Sequence, residues 1–323
     1  MQTNLQLLPP SQRSTRFLTT DLNVVDCRPQ FSADGSYIVF MRQAHDGNPA
    51  SASSLYMIPT DGSSLNAKLL FAGTNATRPD FSWIRQNYQI AFAALGAGIW
   101  LLDIETQNIR QVLDSNINGQ RYQWSYPAWY PDGEHLLVTN YNSYSSETTA
   151  YHQLVKVNVN KLNEFIVVTS NEEVWPGMAS VSQVDPLMIA FAGQKPTPQP
   201  PEPCTCANGK CDSDGYAQDC NQIWLQKGTG KPTPIDTAQG RAPWFSPDGQ
   251  LLTFESNRAN PKLIDAYRIF LYSILDSTVE ALTPASMKVQ HAKWSPDGRQ
   301  IVFSVGLFGG AQGIAVMDVR FNT

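Results

Sequence analysis

The chain has 323 residues, 42% hydrophobic and only 16% charged, with 28 acidic residues against 23 basic ones. The acidic excess argues against a nucleic-acid-binding protein, which needs a basic face. No apolar run approaches the roughly 18–20 residues that cross a bilayer, and the start shows no basic segment followed by an apolar one, as a signal peptide would.

A five-residue phrase recurs along the chain as FSADG (31–35), WYPDG (129–133), FSPDG (245–249) and WSPDG (294–298). Proline fixes φ at a turn position, and Asp-Gly supplies the positive-φ residue that a hairpin needs. Alignment of the whole chain on this phrase gives six units of about 49 residues, with one insertion in the fourth. The aligned positions, three residues before the Ser of the phrase, are Pro29, Pro79, Pro127, Pro176, Pro243 and Ala292.

Each unit has the same order of predicted strands. The phrase is followed by a period-2 apolar run such as YIVF (37–40) or IVFSV (301–305), and then by a third run such as GIWLLDI (98–104). A fourth run closes most units, but the sixth unit stops after its third. The segment at 15–20 matches the missing strand in spacing, which predicts that the N-terminal strand joins the last unit.

These patterns predict an all-β fold, a six-bladed β-propeller with four-stranded blades whose ring is closed by the N-terminal strand. We expect one domain over residues 1–323. The blades are predicted at about 21–72, 73–113, 114–169, 170–236, 237–283 and 284–319 plus strand 15–20. A Pro- and Cys-rich insertion at 195–221 belongs to the fourth blade.

The repeated pattern x-P-x-[FW]-S-P-D-G, followed by strands of the IWLLD type, resembles the WD40-like repeat called PD40. The resemblance covers about residues 15–319 and is to the TolB-like family of six-bladed propellers. It implies the propeller fold and a protein- or peptide-binding or scaffold role outside the cytoplasm, in the periplasm or at the cell surface. It is specific for fold and less so for function, because such blades also occur in peptidases and sensors.

Propeller geometry places the residues that precede the aligned positions in a ring at the top mouth of the central channel. Arginine presents a planar fork to carboxylates, so this ring predicts a site for a protein, peptide or other anionic ligand. The alternative is that each Arg pairs with an acidic group or a carbonyl of the neighbouring blade. The predicted ring is Arg28, Arg78, Tyr126, Trp175, Ala242 and His291, with Arg241 adjacent.

Four cysteines, Cys204, Cys206, Cys211 and Cys220, lie in the insertion. Two disulfides would hold such a loop together and would place the protein outside the cytoplasm. Metal binding and free thiols are the alternatives, although the spacing fits zinc poorly. Cys27 is expected to be a buried free thiol. The acidic run 212–219 suggests calcium but fails the EF-hand pattern at both ends, so no cofactor or metal is predicted.

The sequence carries no recognisable catalytic motif. There is no G-x-S-x-G elbow and no phosphate-binding loop. Three histidines, His45, His152 and His291, are predicted on the top face, where a metal would require all three to point to the axis. A non-enzymatic binding propeller is therefore the preferred hypothesis. The alternatives are an enzyme or carbohydrate-binding protein with an anionic ligand at the channel mouth, and a subunit of a surface or membrane-attached assembly.

Overall fold

The computed structural model describes residues 5–46, 52–63, 66–72, 81–83, 89–94, 98–142, 151–169, 174–194, 221–236, 239–258 and 266–322. Its regular structure is β-strand, apart from short 3-10 segments at Pro10–Gln12 and Phe308–Gly310. The all-β prediction is confirmed. In the described ranges no helix is long and apolar enough to span a membrane.

Repeats 2 to 5 each form a separate four-stranded sheet in which strands that are consecutive in sequence pair antiparallel. The strands of repeats 2 and 3 are Phe81–Trp83, Gln89–Ala94, Gly98–Asp103 and Ile109–Leu113, then Trp124–Trp129, His135–Asn142, Tyr151–Asn158 and Phe165–Thr169. Those of repeats 4 and 5 are Trp175–Val181, Met188–Gln194, Gln222–Lys227 and Thr233–Pro234, then Arg241–Phe245, Leu251–Ser256, Arg268–Ser273 and Val279–Ala281.

Repeats 6 and 1 share an eight-stranded sheet, because Gln312 of repeat 6 forms one parallel bridge to Val25 of repeat 1. The N-terminal strand Thr15–Phe17 pairs antiparallel with the third strand of repeat 6. The strands of this sheet are Val289–Trp294, Gln300–Gly306, Gln312–Asp318, Thr15–Phe17, Val24–Phe31, Tyr37–Ala44, Ser54–Pro59 and Lys68–Phe71.

Two further strand pairs lie outside these sheets. Leu5–Leu7 pairs with Arg320–Asn322, so the two ends of the chain meet. Asn116–Ile117 pairs with Gln120–Arg121 in a small hairpin before the first strand of repeat 3. Neither pair belongs to the four repeated strands of a unit, so the repeat pattern does not predict them.

The repeated phrase is a turn held by one serine and one aspartate. In repeat 6, Ser295 Oγ donates to Asp297 Oδ1 at 2.6 Å and accepts from the Gln300 amide at 2.9 Å. The Gly298 amide donates to the Ser295 carbonyl at 2.9 Å, and Gly298 has φ 71°. The Ser–Asp contact recurs at Ser32 and Ser246, so three of the four copies of the phrase build the same hairpin turn.

The core consists of apolar clusters, six among the described residues, each of which combines residues of two successive repeats. Trp294 of the phrase lies in the cluster between repeats 5 and 6, next to Leu271. Another cluster joins Phe31 and Phe40 of repeat 1 to Val302 of repeat 6. Sheet faces that would be exposed in a single repeat are thus buried against the neighbouring repeat.

Candidate functional site

The first strand of five repeats carries the same β-bulge. In each, two residues of the first strand lie opposite one residue of the second strand, between Cys27 and Gln30 in repeat 1 and between Gln290 and Lys293 in repeat 6. The other bulges lie at Ser125/Ala128, Gly177/Ser180 and Arg241/Trp244. The extra residue of a bulge is released from the ladder and its side chain is re-aimed.

Each bulge contains one non-glycine residue in the left-handed region, with φ between 49° and 58°. These residues are Arg28, Tyr126, Met178, Ala242 and His291. Such a conformation costs on the order of 1 kcal/mol or more per residue, and it concentrates at functional sites. Proline follows the bulge residue in three of the repeats, where its missing amide does not break a ladder bond.

All five bulge residues line one pocket, so the first strands of five repeats surround a common space. It encloses ≈ 530 Å³ between protein atoms, including its open mouth. Its lining consists of the bulge residues and the residues one or two positions after them: Arg28, Pro29, Gln30, Tyr126, Pro127, Met178, Ala179, Ala242, Pro243, Trp244, His291 and Lys293. We call this space the axial pocket.

Two cations of the axial pocket lie on aromatic faces. The Arg28 guanidinium carbon is 5.2 Å from the ring centroid of Tyr126, and Lys293 Nζ is 3.2 Å from that of Trp244. Both pairs bring together side chains of different repeats. The aromatic faces stabilise the cations and fix their positions at the axis.

Lys293 has the most strongly altered proton affinity in this pocket. Burial lowers the pKa of its ammonium group to about 7, with the Glu255 carboxylate opposing this shift and the Arg28 guanidinium adding to it. Lys293 is half-buried and lines the axial pocket. A fraction of Lys293 therefore carries a neutral amine at neutral pH.

His291 is linked to Arg28 through a serine. The Arg28 backbone amide donates to Ser304 Oγ at 3.0 Å, and Ser304 Oγ lies 3.5 Å from His291 Nδ1. This contact connects the bulges of repeats 1 and 6, where the chain's first and last repeats meet.

The predicted ring residue Arg241 has a different environment. It is buried, and its Nε lies 3.6 Å from Glu255 Oε1 in the same repeat. Its guanidinium carbon is 4.0 Å from the ring centroid of the fully buried Tyr267. Arg241 is not part of the pocket lining, and its geometry matches the ion-pair alternative, although the acidic partner belongs to its own blade.

The structure places Met178, not Trp175, at the ring position of repeat 4. Trp175 lies three residues earlier, at the first position of its strand, and pairs with Gln194. The alignment on Pro176 is therefore three residues out of register, because the bulge of repeat 4 contains Met178-Ala179 and has no proline. Arg28, Tyr126, Ala242 and His291 do lie together at the axis.

Several sequence predictions lie outside the described residues. These are Arg78 of the ring, the cysteines Cys204, Cys206, Cys211 and Cys220, and the acidic run 212–219. Cys27 is half-buried and is not joined in a disulfide, and it packs beside the cluster between repeats 1 and 2. His45 is exposed, and in the described ranges no group of three metal-ligating side chains occurs.

Sequence reasoning missed Lys293, Trp244 and Glu255. Lys293 and Trp244 each lie two positions after a bulge residue, and this offset was the available signal. The offset predicts a place in the pocket only when the position of the bulge is known, because a regular strand would direct the side chains of Lys293 and Trp244 differently.

No family model matches this sequence, and no curated protein matches it. Solved structures do match over most of its length. A putative TolB from Agrobacterium tumefaciens is 16% identical with a TM-score of 0.61, covering 95% of this chain and 94% of that one. TolB from Acinetobacter baumannii is 16% identical with a TM-score of 0.60, covering 90% of this chain and 65% of that one, so this chain spans about two thirds of that protein.

An oligogalacturonate lyase from Vibrio parahaemolyticus is similar over almost the whole of both molecules. It is 13% identical with a TM-score of 0.58, covering 98% of this chain and 97% of that one. At these identities the likeness concerns the fold alone. The chain has the fold of a TolB-like β-propeller.

Proposed function

We propose that this chain is a closed six-bladed propeller that binds its ligand without transforming it, and that the axial pocket receives a carboxylate of a protein or peptide partner. The closed ring is supported by two contacts between the ends of the chain. The N-terminal strand Thr15–Phe17 pairs with the third strand of repeat 6, and one apolar cluster joins repeats 6 and 1. Radial repetition of this kind leaves only short, protected sheet edges.

The convergence of Arg28 and Lys293 on aromatic faces carries the binding proposal. Arg28 offers a planar, permanently charged fork that suits a carboxylate, and Lys293 adds a positive charge when it is protonated. Tyr126 and Trp244 supply large, rigid surfaces beside these cations, a combination that is enriched at binding hot spots. The two cations would thus bind the carboxylate of a ligand, and the two aromatic rings would contact the groups beside that carboxylate.

A peptide array with matched amides tests this function. The full chain is incubated with immobilised peptides that carry Asp or Glu and with counterparts that carry Asn or Gln. We expect the acidic peptides to bind about tenfold more tightly or better, because a hydrogen bond to a charged group contributes about 1.5–3 kcal/mol. Arg28→Gln should remove this preference.

The matched control is Arg299→Gln, because Arg299 is half-exposed at the turn of repeat 6 and is not part of the axial pocket. This variant should retain the acidic preference. Equal retention of acidic and amide peptides by the unaltered chain would contradict the proposal, as would an equal loss in both variants.

An extracytoplasmic location, periplasmic or at the cell surface, is part of the proposal and depends on the insertion cysteines. If Cys204, Cys206, Cys211 and Cys220 form two disulfides, a thiol reagent under denaturing conditions should detect one thiol before reduction and five after it. Five thiols before reduction, or tightly bound zinc, would argue against the disulfides and against export.

The low pKa of Lys293 favours one second candidate, an enzyme that acts on an anionic ligand such as an acidic carbohydrate. A lysine with a pKa of about 7 is poised to act as a base or nucleophile at neutral pH. Shortening of a uronate oligosaccharide by the purified chain, with its loss in Lys293→Met, would favour this candidate over binding alone.

A further inference from the structure

The axial pocket holds two nitrogen groups of opposite chemical character. Arg28 keeps its charge at any pH that proteins experience and cannot act as a nucleophile. Lys293 lines the same pocket with its Nζ over Trp244, and the residue is half-buried. One group can hold an anion while the other can form a covalent bond.

Four influences act on the charge of Lys293, two in each direction. The indole face of Trp244 and the Glu255 carboxylate favour the ammonium form, whereas burial and Arg28 favour the neutral amine. Burial has the largest effect, and the resulting pKa is about 7. An unperturbed lysine has a pKa of about 10.4, so at neutral pH less than about one in a thousand such groups is neutral. Lys293 is accordingly far richer in the nucleophilic form.

The ligand that uses both groups has a carboxylate beside a carbonyl carbon. Its carboxylate accepts hydrogen bonds from the guanidinium, and its carbonyl carbon is the electrophile that an amine attacks. Small 2-oxo acids have these two groups on adjacent carbons.

We propose that Lys293 is the nucleophile of a covalent binding site for small oxo acids, with Arg28 binding the carboxylate. The proposal rests on the proposed carboxylate-binding role of the axial pocket and extends it to a class of small molecules. The neutral amine adds to the carbonyl carbon, the carbonyl electron pair moves to oxygen, and a proton passes from nitrogen to that oxygen. The carbinolamine then loses water to give an imine, and no oxidant or reductant is consumed.

Reductive trapping tests the proposal. The full chain is incubated with pyruvate and sodium cyanoborohydride, which fixes an imine as a stable secondary amine, and the modified residue is mapped by peptide mass spectrometry. We expect Lys293 to be labelled first, saturably with pyruvate, at a rate at least tenfold above any exposed lysine. Lactate, which has the carboxylate without the carbonyl, should slow labelling but form no adduct.

Three variants and one probe assign the roles. Lys293→Met should remove the fast adduct, whereas Lys161→Met, at a well exposed surface lysine, should leave it unchanged. Arg28→Gln should slow pyruvate labelling at least tenfold and slow labelling by the neutral probe propanal much less, because propanal senses only the small effect of Arg28 on the pKa of Lys293. The position of the adduct in the unaltered chain is mapped directly, so the test does not depend on the folding of a variant.

The proposal is overturned if Lys293 reacts no faster than exposed lysines, or if Arg28→Gln slows labelling by propanal as much as labelling by pyruvate. Its failure can be told apart from that of the proposed function. If acidic peptides bind the pocket but Lys293 is not labelled, the covalent site is wrong and carboxylate binding stands. If Arg28→Gln affects both probes alike and acidic peptides also fail to bind, the carboxylate role is wrong as well.

Discussion

Replacing Gly313 by alanine is expected to lower the free energy of unfolding by about 3 kcal/mol, because the new methyl group would overlap the N-terminal segment. A Cβ at Gly313 would lie 2.2 Å from the Thr19 carbonyl oxygen and 3.1 Å from Leu307 Cδ1. The backbone at Thr19 cannot move away freely, since the Leu18 amide donates to the Ile314 carbonyl at 2.8 Å and the Ile314 amide donates to Thr19 Oγ1 at 2.9 Å.

Gly306→Ala is the matched control for this substitution. Gly306 pairs with Gln312, next to Gly313, and its added Cβ would meet nothing closer than Lys288 Cβ at 3.4 Å. We expect a change within about 1 kcal/mol, in either direction, from the altered backbone entropy. Urea unfolding of both variants provides the comparison. If Gly313→Ala were no less stable than Gly306→Ala, the N-terminal segment would not be packed on repeat 6 as described.

The local part of this fold could be predicted from sequence, because the determinants of the hairpin lie within six residues. Ser295, Asp297 and Gly298 build their turn through contacts to one another and to Gln300. The same local chemistry recurs at Ser32 and Ser246, so the repeat length and the order of strands could be derived without knowledge of tertiary contacts. The blade count and the closed ring extend this reasoning and remain proposals.

The bulge of repeat 4 could not be placed in this way. Trp175-Pro176 has the same residue classes as Tyr126-Pro127, yet the left-handed residue is Met178. Proline is compatible with the bulge but not required by it. The position of a proline therefore does not locate the bulge when the rest of the phrase is absent. The better guide is Ser182, which follows the left-handed residue by four positions, as Ser32 and Ser295 do in their repeats.

The chemistry of the axial pocket depends on contacts between repeats. Lys293 belongs to repeat 6 and Trp244 to repeat 5, and the two side chains meet because adjacent first strands are bulged in the same register. Neither residue has neighbours in sequence that indicate burial of a charge. The alignment indicated that Arg28, Tyr126 and His291 lie at one level of the fold, but it gave no sign of Lys293 or Trp244. The low pKa of Lys293 follows from its burial.

Replacing Lys293 by methionine is expected to raise the free energy of unfolding at pH 7 by about 2 kcal/mol, since exchanging a buried charge for an apolar side chain of similar volume is often stabilising by 1–4 kcal/mol. The methionine can occupy much of the same space over Trp244, and Glu255 keeps Arg241 as a partner at 3.6 Å. Loss of the cation–π contact offsets part of the gain.

The pH dependence of stability should separate this effect from simple repacking. The pKa of Lys293 is about 7 in the folded chain and returns to about 10.4 on unfolding. Between these two pH values the unfolded chain binds more protons than the folded chain does. Protonation therefore stabilises the unfolded state less as the pH rises, and the free energy of unfolding increases by about 1.4 kcal/mol per pH unit. The gain is absent below pH 7, where both states are protonated and the cost of burying the charge is complete.

Urea midpoints measured from pH 6 to 9 would give this difference directly. The unaltered chain should gain about 2–3 kcal/mol relative to Lys293→Met between pH 7 and 9, and Lys161→Met should follow the unaltered chain throughout. Other titrating groups are common to all three proteins and cancel in the comparison. Parallel curves for the unaltered chain and Lys293→Met would show that Lys293 is solvated as an ordinary ammonium group, and a neutral nucleophile in the axial pocket would lose its physical basis.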